Sequence, residues 1–390
     1  MFKKLILSFI LIFILFSTSI IASQDLELDS KSAILMEYET GEIIFQKEAD
    51  TQLPPASMTK IMTMLLVMEA VEEGRATLED KIVVSELAAS MGGSQIWLEP
   101  GEEMTLENMM KAIAIVSAND ACVAVAEYLY GTEQAFVKRM NERAKELGLK
   151  NTFFYNTNGL PSEDEDIQGN YTTARDLAIM GRELIKHKKV LEWTSTWMDY
   201  LRNGESVLNN TNRLVRFYKG ADGLKTGYTE EARFCLTSTA TRGGLRFIAV
   251  VMGNDNSQDR FEEAGALLTY GFGMYQGFEA AQKGDLVQEL NIINAEDQFA
   301  RAIIEGEVII PIKRGSEDEI IKEIVLQEKI IAPLSMGDKI GEVRIYKGDT
   351  LVKTEDVIID RDVNKASFFQ IILRIINLII NSIFNIFARA

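Results

Sequence analysis

Short apolar runs and turn residues alternate near the start of the chain. Ala33–Met36 and Ile43–Phe45 flank Thr40-Gly41-Glu42, which predicts a β-hairpin with a glycine-containing turn. Pro54-Pro55 ends the second strand, and a helix rich in Met and Leu is expected from Ser57 to Val71. The pattern therefore predicts a strand pair followed by a helix.

Helical periodicity dominates the middle of the chain, and strands return beyond it. Phe234–Thr239 and Arg246–Met252, joined through Gly243-Gly244, predict a second hairpin. Strands at both ends with helices between them predict an α/β (α+β) domain, a mixed sheet covered by helices. The segments with helical spacing are Leu106–Tyr130, Glu133–Leu147, Thr173–Lys186 and, after the hairpin, about Arg260–Tyr270.

The pattern changes after Phe272. From there the chain has short β-type runs separated by glycine and acidic turns, as in Val308–Ile310, Glu323–Val325 and Glu342–Ile345. We therefore expect a catalytic domain over residues 24–277 and a small all-β domain over 278–363. A length of 390 residues agrees with two domains.

The N-terminus has the pattern of an export signal. Lys3 and Lys4 precede the apolar run Leu5–Phe16, and small residues near Ala22 and Ser23 precede a polar stretch. We predict a signal peptide over residues 1–23, with an uncleaved membrane anchor as the alternative. Under either interpretation, the body of the protein lies on the extracytoplasmic face of the cell membrane.

The C-terminus contains a second apolar segment, Phe368–Phe387. Its polar residues recur every three or four positions, so they form one narrow stripe on a helix. We predict an amphipathic membrane-anchor helix over residues 364–390 that lies on the membrane surface, with a spanning helix as the alternative. The polar residues are Gln370, Arg374, Asn377, Asn381 and Asn385.

Charge, cysteine and histidine content exclude several kinds of protein. The net charge of −17 argues against nucleic-acid binding. Cys122 and Cys235 could form one disulfide or remain two buried thiols. The single histidine, His187, is expected at a solvated helix end, so neither a Ser-His-Asp triad nor a multi-histidine zinc site is expected. We predict no metal and no cofactor.

Ser57-Met58-Thr59-Lys60 offers catalysis without histidine. At the start of a helix, residues three apart share a face, so the Ser57 hydroxyl and the Lys60 amine can meet. Desolvation and nearby positive charge lower the pKa of a lysine and let it act as a base towards serine. The first helical turn also offers backbone N–H groups to an oxyanion. By itself, however, Ser-x-x-Lys is a weak signal.

Two further motifs follow in a fixed order. Ser117-Ala118-Asn119 and Lys225-Thr226-Gly227 each occur once, and this triplet is associated with penicillin-binding proteins and class A β-lactamases. Ser117 could relay a proton between Lys60 and a leaving amine, while Asn119 holds a substrate amide. Lys225 and Thr226 could bind a carboxylate, and Gly227 would let the substrate lie along a strand edge.

Beyond these motifs, the chain from about residue 32 to 272 resembles the low-molecular-mass penicillin-binding proteins of the D-alanyl-D-alanine carboxypeptidase group (S11 serine peptidases). The similar segments are Pro55-Ala56-Ser57-Met58-Thr59-Lys60, Ser117-Ala118-Asn119-Asp120-Ala121, Asn158-Gly159-Leu160, Thr172-Thr173-Ala174-Arg175-Asp176-Leu177 and Asp222-Gly223-Leu224-Lys225-Thr226-Gly227-Tyr228-Thr229. The β domain and the C-terminal helix also resemble the layout of that family.

The resemblance implies a function and further site residues. It implies that Ser57 forms an acyl-enzyme with peptidoglycan stem peptides ending in D-Ala-D-Ala and with β-lactam antibiotics. It also implies that Arg260 assists carboxylate binding and that the backbone N–H of Tyr228 is the second oxyanion donor, beside that of Ser57. The chain departs from the family pattern at Arg233, where the family usually has glycine, and in the acidic run Glu163–Asp166.

Other functions remain open from the sequence. A D,D-endopeptidase or transpeptidase would use the same acyl-enzyme. A class A β-lactamase would need a deacylating glutamate between the second and third motifs, where Glu163 and Glu165 lie. A non-catalytic wall-binding scaffold would be expected to lose Ser57, Lys60 or Lys225, and all three are present. Covalent labelling of Ser57 by a fluorescent penicillin separates these classes.

Overall fold

The structure is a computed structural model that describes residues 26–162, 166, 168–315 and 320–387. The signal peptide predicted over 1–23 lies outside the described residues, as do Glu163–Glu165 of the acidic run. Asp166 of that run is exposed to solvent.

A five-stranded antiparallel sheet forms the centre of the larger domain. Both predicted hairpins are present in it, the first from Ser32 to Lys47 and the second from Arg233 to Asn254. The strands are β1 Ser32–Glu37, β2 Ile43–Lys47, β3 Lys81–Val83, β4 Glu103–Thr105, β5 Met198–Leu201, β6 Ser206–Asn209, β7 Ala221–Thr229, β8 Arg233–Arg242 and β9 Leu245–Asn254. The central sheet has the order β2-β1-β9-β8-β7, and β3–β4 and β5–β6 form small separate hairpins.

Helices cover both faces of this sheet. Several begin at a threonine whose hydroxyl accepts a hydrogen bond from the backbone N–H three residues later, as at Thr105, Thr132 and Thr173. The helices are α1 Lys60–Glu72, α2 Glu86–Ala89, α3 Leu106–Ile115, α4 Asn119–Tyr130, α5 Glu133–Glu146, α6 Ala174–Leu184, α7 Lys188–Ser195, α8 Leu214–Phe217 and α9 Asp259–Met274.

The alternation of side chains in β1 explains the two layers. Ile34 and Met36 face the core that contains the helices α1 and α3–α7. Ala33 and Leu35 point to the opposite face and pack in the core formed with α9. A strand that is apolar on both faces therefore lies between two helical layers, and the predicted α+β architecture is confirmed. The expectation of a mixed sheet was wrong, because all four strand pairings of the central sheet are antiparallel.

The stretch Leu106–Tyr130 is not one helix. It divides into α3 and α4, separated by Val116–Ala118, and Ser117 between them has a positive φ of 67°. The apolar spacing continues across the break because both helices bury a face in the same core. The helical spacing therefore concealed a turn, and that turn carries the second motif.

The solvent exposure of His187 and of the two cysteines tests two expectations from the sequence. His187 lies between α6 and α7, but its side chain is only 12% exposed and its Nδ1 is 3.4 Å from Glu72 Oε2. The expectation of a solvated histidine was therefore wrong, because the chain turns at this point and packs the ring against α1. Cys122 and Cys235 are both buried and free, so the interpretation of two buried thiols is confirmed.

The smaller domain is made of β-strands, as predicted. Its apolar core includes Ile304, Ile345 and Val357, and Lys353 of this domain forms an ion pair with Glu39 of the larger one, with the nitrogen 2.9 Å from the carboxylate oxygen. The strands are β10 Tyr275–Ala281, β11 Leu286–Asn291, β12 Phe299–Ile304, β13 Val308–Lys313, β14 Ile320–Leu326, β15 Lys339–Lys347 and β16 Thr350–Ile359. They form a sheet of order β11-β12-β16-β15-β14 and the pair β10–β13.

A last helix, α10, extends from Phe368 to Phe387. The guanidinium of Arg374 on its polar stripe donates to the backbone carbonyls of Ala295 and Glu296 in the β domain. Large apolar side chains of the helix, including Phe369 and Leu373, are exposed. None of the helices in the described part of the chain is long and apolar enough to cross a membrane.

Candidate active site

Ser57 lies in a 3-10 turn, Ala56–Thr59, directly before α1. The backbone N–H of Met58 donates to the carbonyl of Pro55 at 3.1 Å, which closes the turn. Ser57 is half-buried, whereas the residues on either side of it are buried. The serine side chain is therefore reachable from solvent on a segment that is otherwise packed.

Lys60 is completely buried and is surrounded by oxygen atoms. Its Nζ lies 2.8 Å from Ser57 Oγ, 2.6 Å from Asn119 Oδ1 and 2.9 Å from the backbone oxygen of Asn158. Burial lowers the pKa of Lys60 to about 8. As a neutral amine, Lys60 would keep two N–H donors for Asn119 and Asn158 and turn its lone pair towards the Ser57 hydroxyl.

The second motif reaches this lysine from the first turn of α4. The side-chain amide of Asn119 donates to the carbonyl of Gly92 at 2.7 Å, which orients its oxygen. The buried carboxylate of Asp120 accepts from the backbone N–H groups of Ile96 and Leu98. The loop before the β4 strand is therefore held against the start of α4, and Asn119 is fixed from both sides.

The structure does not bring the hydroxyl of Ser117 into the hydrogen-bond network of Lys60. The Oγ atom is buried and has no hydrogen-bond partner among the described residues. Its left-handed backbone, with φ of 67°, places this residue in a turn that few non-glycine residues adopt. An unpartnered polar atom and an unusual backbone at one residue are features typical of functional sites.

The third motif lies on β7, the edge strand of the central sheet. Lys225 is 1% exposed, and its Nζ donates to the backbone oxygen of Thr226 at 3.0 Å. Burial, together with the positive charge of Lys60, holds the pKa of Lys225 well below its usual value. The hydroxyl of Thr226 donates to Thr211 Oγ1 at 2.7 Å.

Gly227 is needed for a reason that the sequence did not indicate. A Cβ atom at this position would lie 2.8 Å from the backbone oxygen of Pro55 and 3.3 Å from the Cβ of Ala56. The glycine therefore lets the nucleophile segment approach β7 closely. Tyr228, the next residue, is half exposed and stacks on Phe234 with ring centroids 4.3 Å apart.

Arg260, at the start of α9, reaches the same strand. One of its terminal nitrogens donates to the backbone oxygen of Gly227 at 3.1 Å. Its guanidinium lies 5.3 Å from the ring centre of Phe234 and 4.8 Å from that of Phe261, and its Nε has no hydrogen-bond partner among the described residues. Burial lowers the pKa of Arg260 to about 10.

Sequence reasoning assigned no role in this site to two residues, Asn158, which it named only within a family-like segment, and Thr211. The backbone oxygen of Asn158 accepts from Lys60, and the Asn158-Gly159 pair that forms this turn is a recognisable turn signal. Thr211 pairs with Thr226, and no pattern in the sequence marks it. Asn158 lies 98 residues from Lys60 along the chain, whereas Thr211 lies 15 residues from Thr226.

Arg233, where glycine was expected, is exposed and has a φ of 57°. Glycine adopts this left-handed conformation without strain, whereas a side chain makes it less favourable. The side chain of Arg233 is therefore accommodated in solvent, and its backbone conformation explains why glycine is usual there.

These features define a class of protein. A half-buried serine beside a buried lysine, a serine–asparagine turn and a Lys-Thr-Gly edge strand belong to the serine acyl-transfer enzymes that recognise penicillin. Residues 18–256 match the family described as D-alanyl-D-alanine carboxypeptidase, peptidase family S11, and residues 275–365 match the C-terminal domain of penicillin-binding protein 5. The chain belongs to this carboxypeptidase family, as the motifs predicted.

Individual relatives agree with this assignment. The chain is 42% identical to "D-alanyl-D-alanine carboxypeptidase DacF" of Bacillus subtilis, over 95% of this chain and 97% of the relative. It is 32% identical to DacC of Escherichia coli, over 92% of this chain and 91% of that relative.

Solved structures resemble both domains. A peptidoglycan synthesis regulatory factor (PBP3) from Streptococcus pneumoniae is 26% identical, with a TM-score of 0.74 over 87% of this chain and 100% of its own. Penicillin-binding protein D2 from Listeria monocytogenes, solved in an ampicillin-bound form, is 32% identical, with a TM-score of 0.58 over 64% of this chain and 99% of its own.

Proposed function

We propose that this protein removes the terminal D-alanine from peptidoglycan stem peptides through an acyl-enzyme on Ser57. The observation that carries the proposal is the 2.8 Å distance between Lys60 Nζ and Ser57 Oγ, with Lys60 fully buried. An amine with a pKa of about 8 in that position is a suitable base for a serine hydroxyl.

Acylation begins when neutral Lys60 takes the proton of the Ser57 hydroxyl. The serine oxygen attacks the carbonyl carbon of the penultimate D-alanine, and the backbone N–H groups of Ser57 and Tyr228 bind the oxyanion. The proton then passes from Lys60 through Ser117 to the amine of the departing D-alanine. The unpartnered Oγ of Ser117 supports this role, since nothing described competes for it.

The other motif residues hold the substrate. Asn119 binds the amide that precedes the scissile bond, and Lys225 and Thr226, assisted by Arg260, bind the terminal carboxylate. Gly227 keeps the nucleophile segment close to the strand along which the substrate lies. Water then attacks the ester carbonyl while Lys60 takes a proton from that water, and Lys60 passes this proton to the Ser57 oxygen as the ester bond breaks. These steps use the side chains and backbone groups of the chain and no metal or cofactor.

The test is D-alanine release from a peptide ending in D-Ala-D-Ala, with the chain lacking residues 1–23 and the C-terminal helix compared with Ser57→Ala. We expect release by the first and a loss of about 10⁴-fold or more in the variant. Slow, stable labelling of Ser57 by fluorescent penicillin is the second expected result. Labelling without release would indicate an endopeptidase or transpeptidase, brief labelling a β-lactamase, and neither result a scaffold.

We also propose that the catalytic domain, residues 24–277, works outside the cytoplasm. Along the chain it is followed by the β domain, residues 278–363, and by a membrane-bound helix over residues 364–390. The exposed Phe369, Leu373 and Ile376 of α10 support the membrane contact, because Arg374 on its polar side is already engaged by the β domain. Replacing the three apolar residues by Ser is expected to abolish flotation with anionic lipid vesicles, whereas Asn377→Ser is expected to keep it.

A further inference from the structure

The carbonyl of Asn158 that accepts from Lys60 belongs to a segment that two helices hold in place. Thr63 lies one turn after Lys60 on α1, so the two side chains share a face of that helix. The Thr63 hydroxyl donates to the backbone oxygen of Thr157 at 2.6 Å, and Lys60 Nζ donates to the next backbone oxygen along the chain at 2.9 Å. One face of α1 therefore binds two consecutive carbonyls of the same segment.

Glu133 holds Thr157 from the other side. It is the first residue of α5, and its Oε1 accepts from the backbone N–H of Thr157 at 3.0 Å and from the Thr157 hydroxyl at 2.7 Å. Thr63 and Thr157 are both 0% exposed, whereas Glu133 is half-buried. The N–H, the hydroxyl and the carbonyl of Thr157 thus all have partners, and the residue that precedes Asn158 is fixed between α1 and α5.

The position of the Asn158 carbonyl determines how neutral Lys60 is oriented. A neutral amine has two N–H groups and one lone pair. Asn119 and Asn158 supply oxygens for the two N–H groups, which leaves the lone pair for the Ser57 hydroxyl. If the Asn158 carbonyl moves away, an N–H group can turn towards Ser57 Oγ, and the lone pair is directed at the hydroxyl proton for a smaller part of the time.

This carbonyl also favours the charged form of Lys60. An oxygen that accepts from an ammonium group stabilises it, so the loss of that oxygen lowers the pKa of the lysine. The other titratable groups that act on Lys60 through their charges are Asp120 and Cys122 on α4 and Lys225 on β7. Glu133 on α5 acts on Cys122 through its charge, so a test has to separate its charge from its hydrogen bonds.

We propose that Thr63 and Glu133 are positioning residues that, through Thr157, hold one hydrogen-bond acceptor of the catalytic base in place. They contribute no atom to the reaction and act through the orientation and the protonation of Lys60. The inference rests on the proposed function and adds to it two residues that lie outside the three motifs.

The test measures the rate of acylation by fluorescent penicillin from pH 5 to pH 10 in the full chain and in variants at Thr63. Thr63→Val removes the hydroxyl and keeps the shape of the side chain. We expect the plateau of the rate at high pH to fall by about tenfold, the effect of losing one hydrogen bond to a charged group. The midpoint of the pH profile should also move to lower pH. Thr63→Ser keeps the hydroxyl and should restore both values.

Glu133 gives access to the same contact from a half-buried position. Glu133→Ala removes the acceptor and should change the plateau and the midpoint in the same directions as Thr63→Val. Glu133→Gln keeps an acceptor oxygen without the charge and should retain most of the rate and the midpoint. Because this pair of variants alters a less buried side chain, it decides the question if Thr63→Val does not fold.

Ser32→Ala is the matched control. The Ser32 hydroxyl is also buried and donates to a backbone oxygen, that of Glu48, at 2.8 Å, but it lies on β1 and not on α1. This variant should lower the midpoint of urea unfolding and keep the pH profile. A pH midpoint that neither Thr63→Val nor Glu133→Ala moves, with Ser57 still labelled, would overturn the inference and leave the proposed function standing. Absence of labelling in the unmodified chain would overturn both.

Discussion

The two domains treat buried charge in opposite ways. The catalytic domain buries Lys60 and Lys225 almost completely, and neither forms an ion pair with a described residue. In the described part of the β domain, by contrast, the buried side chains are all apolar, and its ion pairs, such as Lys339–Asp356, lie at the surface. Burying an unpaired charge costs free energy, so neither lysine is expected to stabilise the fold.

Of the predictions made here for the two domains, replacing Lys60 should have the largest effect on activity. Lys60→Met keeps a similar shape and removes the charge, so acylation by penicillin should fall by about 10² to 10⁴-fold, the usual contribution of a positioned base. The midpoint of urea unfolding should stay the same or rise, because a desolvated amine has been removed. Stopped-flow acylation and urea titration measure the two effects.

The exposed Lys322 of the β domain offers the control. Lys322→Met should change neither the acylation rate nor the unfolding midpoint. Full acylation by Lys60→Met would show that another group is the base.

In the β domain, by contrast, replacing a buried side chain should lower stability and leave activity unchanged. Ile345 is 0% exposed in β15, and Ile345→Ala is expected to reduce the free energy of unfolding of this domain by about 2–5 kcal/mol. The value of kcat/KM for a D-Ala-D-Ala peptide should not change. Ile321→Ala, at a side chain that is 44% exposed, should cost much less. A large loss of activity with Ile345→Ala would mean that the two domains are coupled.

The pH dependence of acylation should sharpen the contrast further. Only neutral Lys60 accepts the Ser57 proton, and its pKa is about 8. The rate should therefore rise by about tenfold per pH unit below that value and level off above it. Measuring penicillin acylation from pH 5 to pH 10 under constant salt checks this. A rate that is flat from about pH 6 upwards would contradict the assigned base.

Much of the architecture could be predicted because each signal was local. The short apolar runs of β1 and β9 marked buried strands, and three-residue spacing at a helix start placed Ser57 beside Lys60. The S11 motifs then identified the family. The turn at Ser117 was not visible, because the apolar spacing of α3 continues into α4.

The remaining partners of Lys60 depend on long-range packing. Asn119 and the carbonyl of Asn158 are 59 and 98 residues away from it along the chain. They meet it only because the first turn of α4 and the Asn158-Gly159 turn both pack on the nucleophile segment. The pairing of Thr211 with Thr226 depends in the same way on the chain that leads into β7.

The burial of Lys225 has a consequence for the choice of cleavage point. Lys225 forms no ion pair with a carboxylate of the described residues, and in the proposed function the free carboxylate of an arriving peptide becomes its partner. A peptide chain that continues past the second D-alanine, or ends in an amide, brings no such counter-ion and leaves the lysine desolvated and alone. Under the proposed function, the enzyme recognises the end of a chain by supplying the lysine of a salt bridge and requiring the substrate to carry the carboxylate.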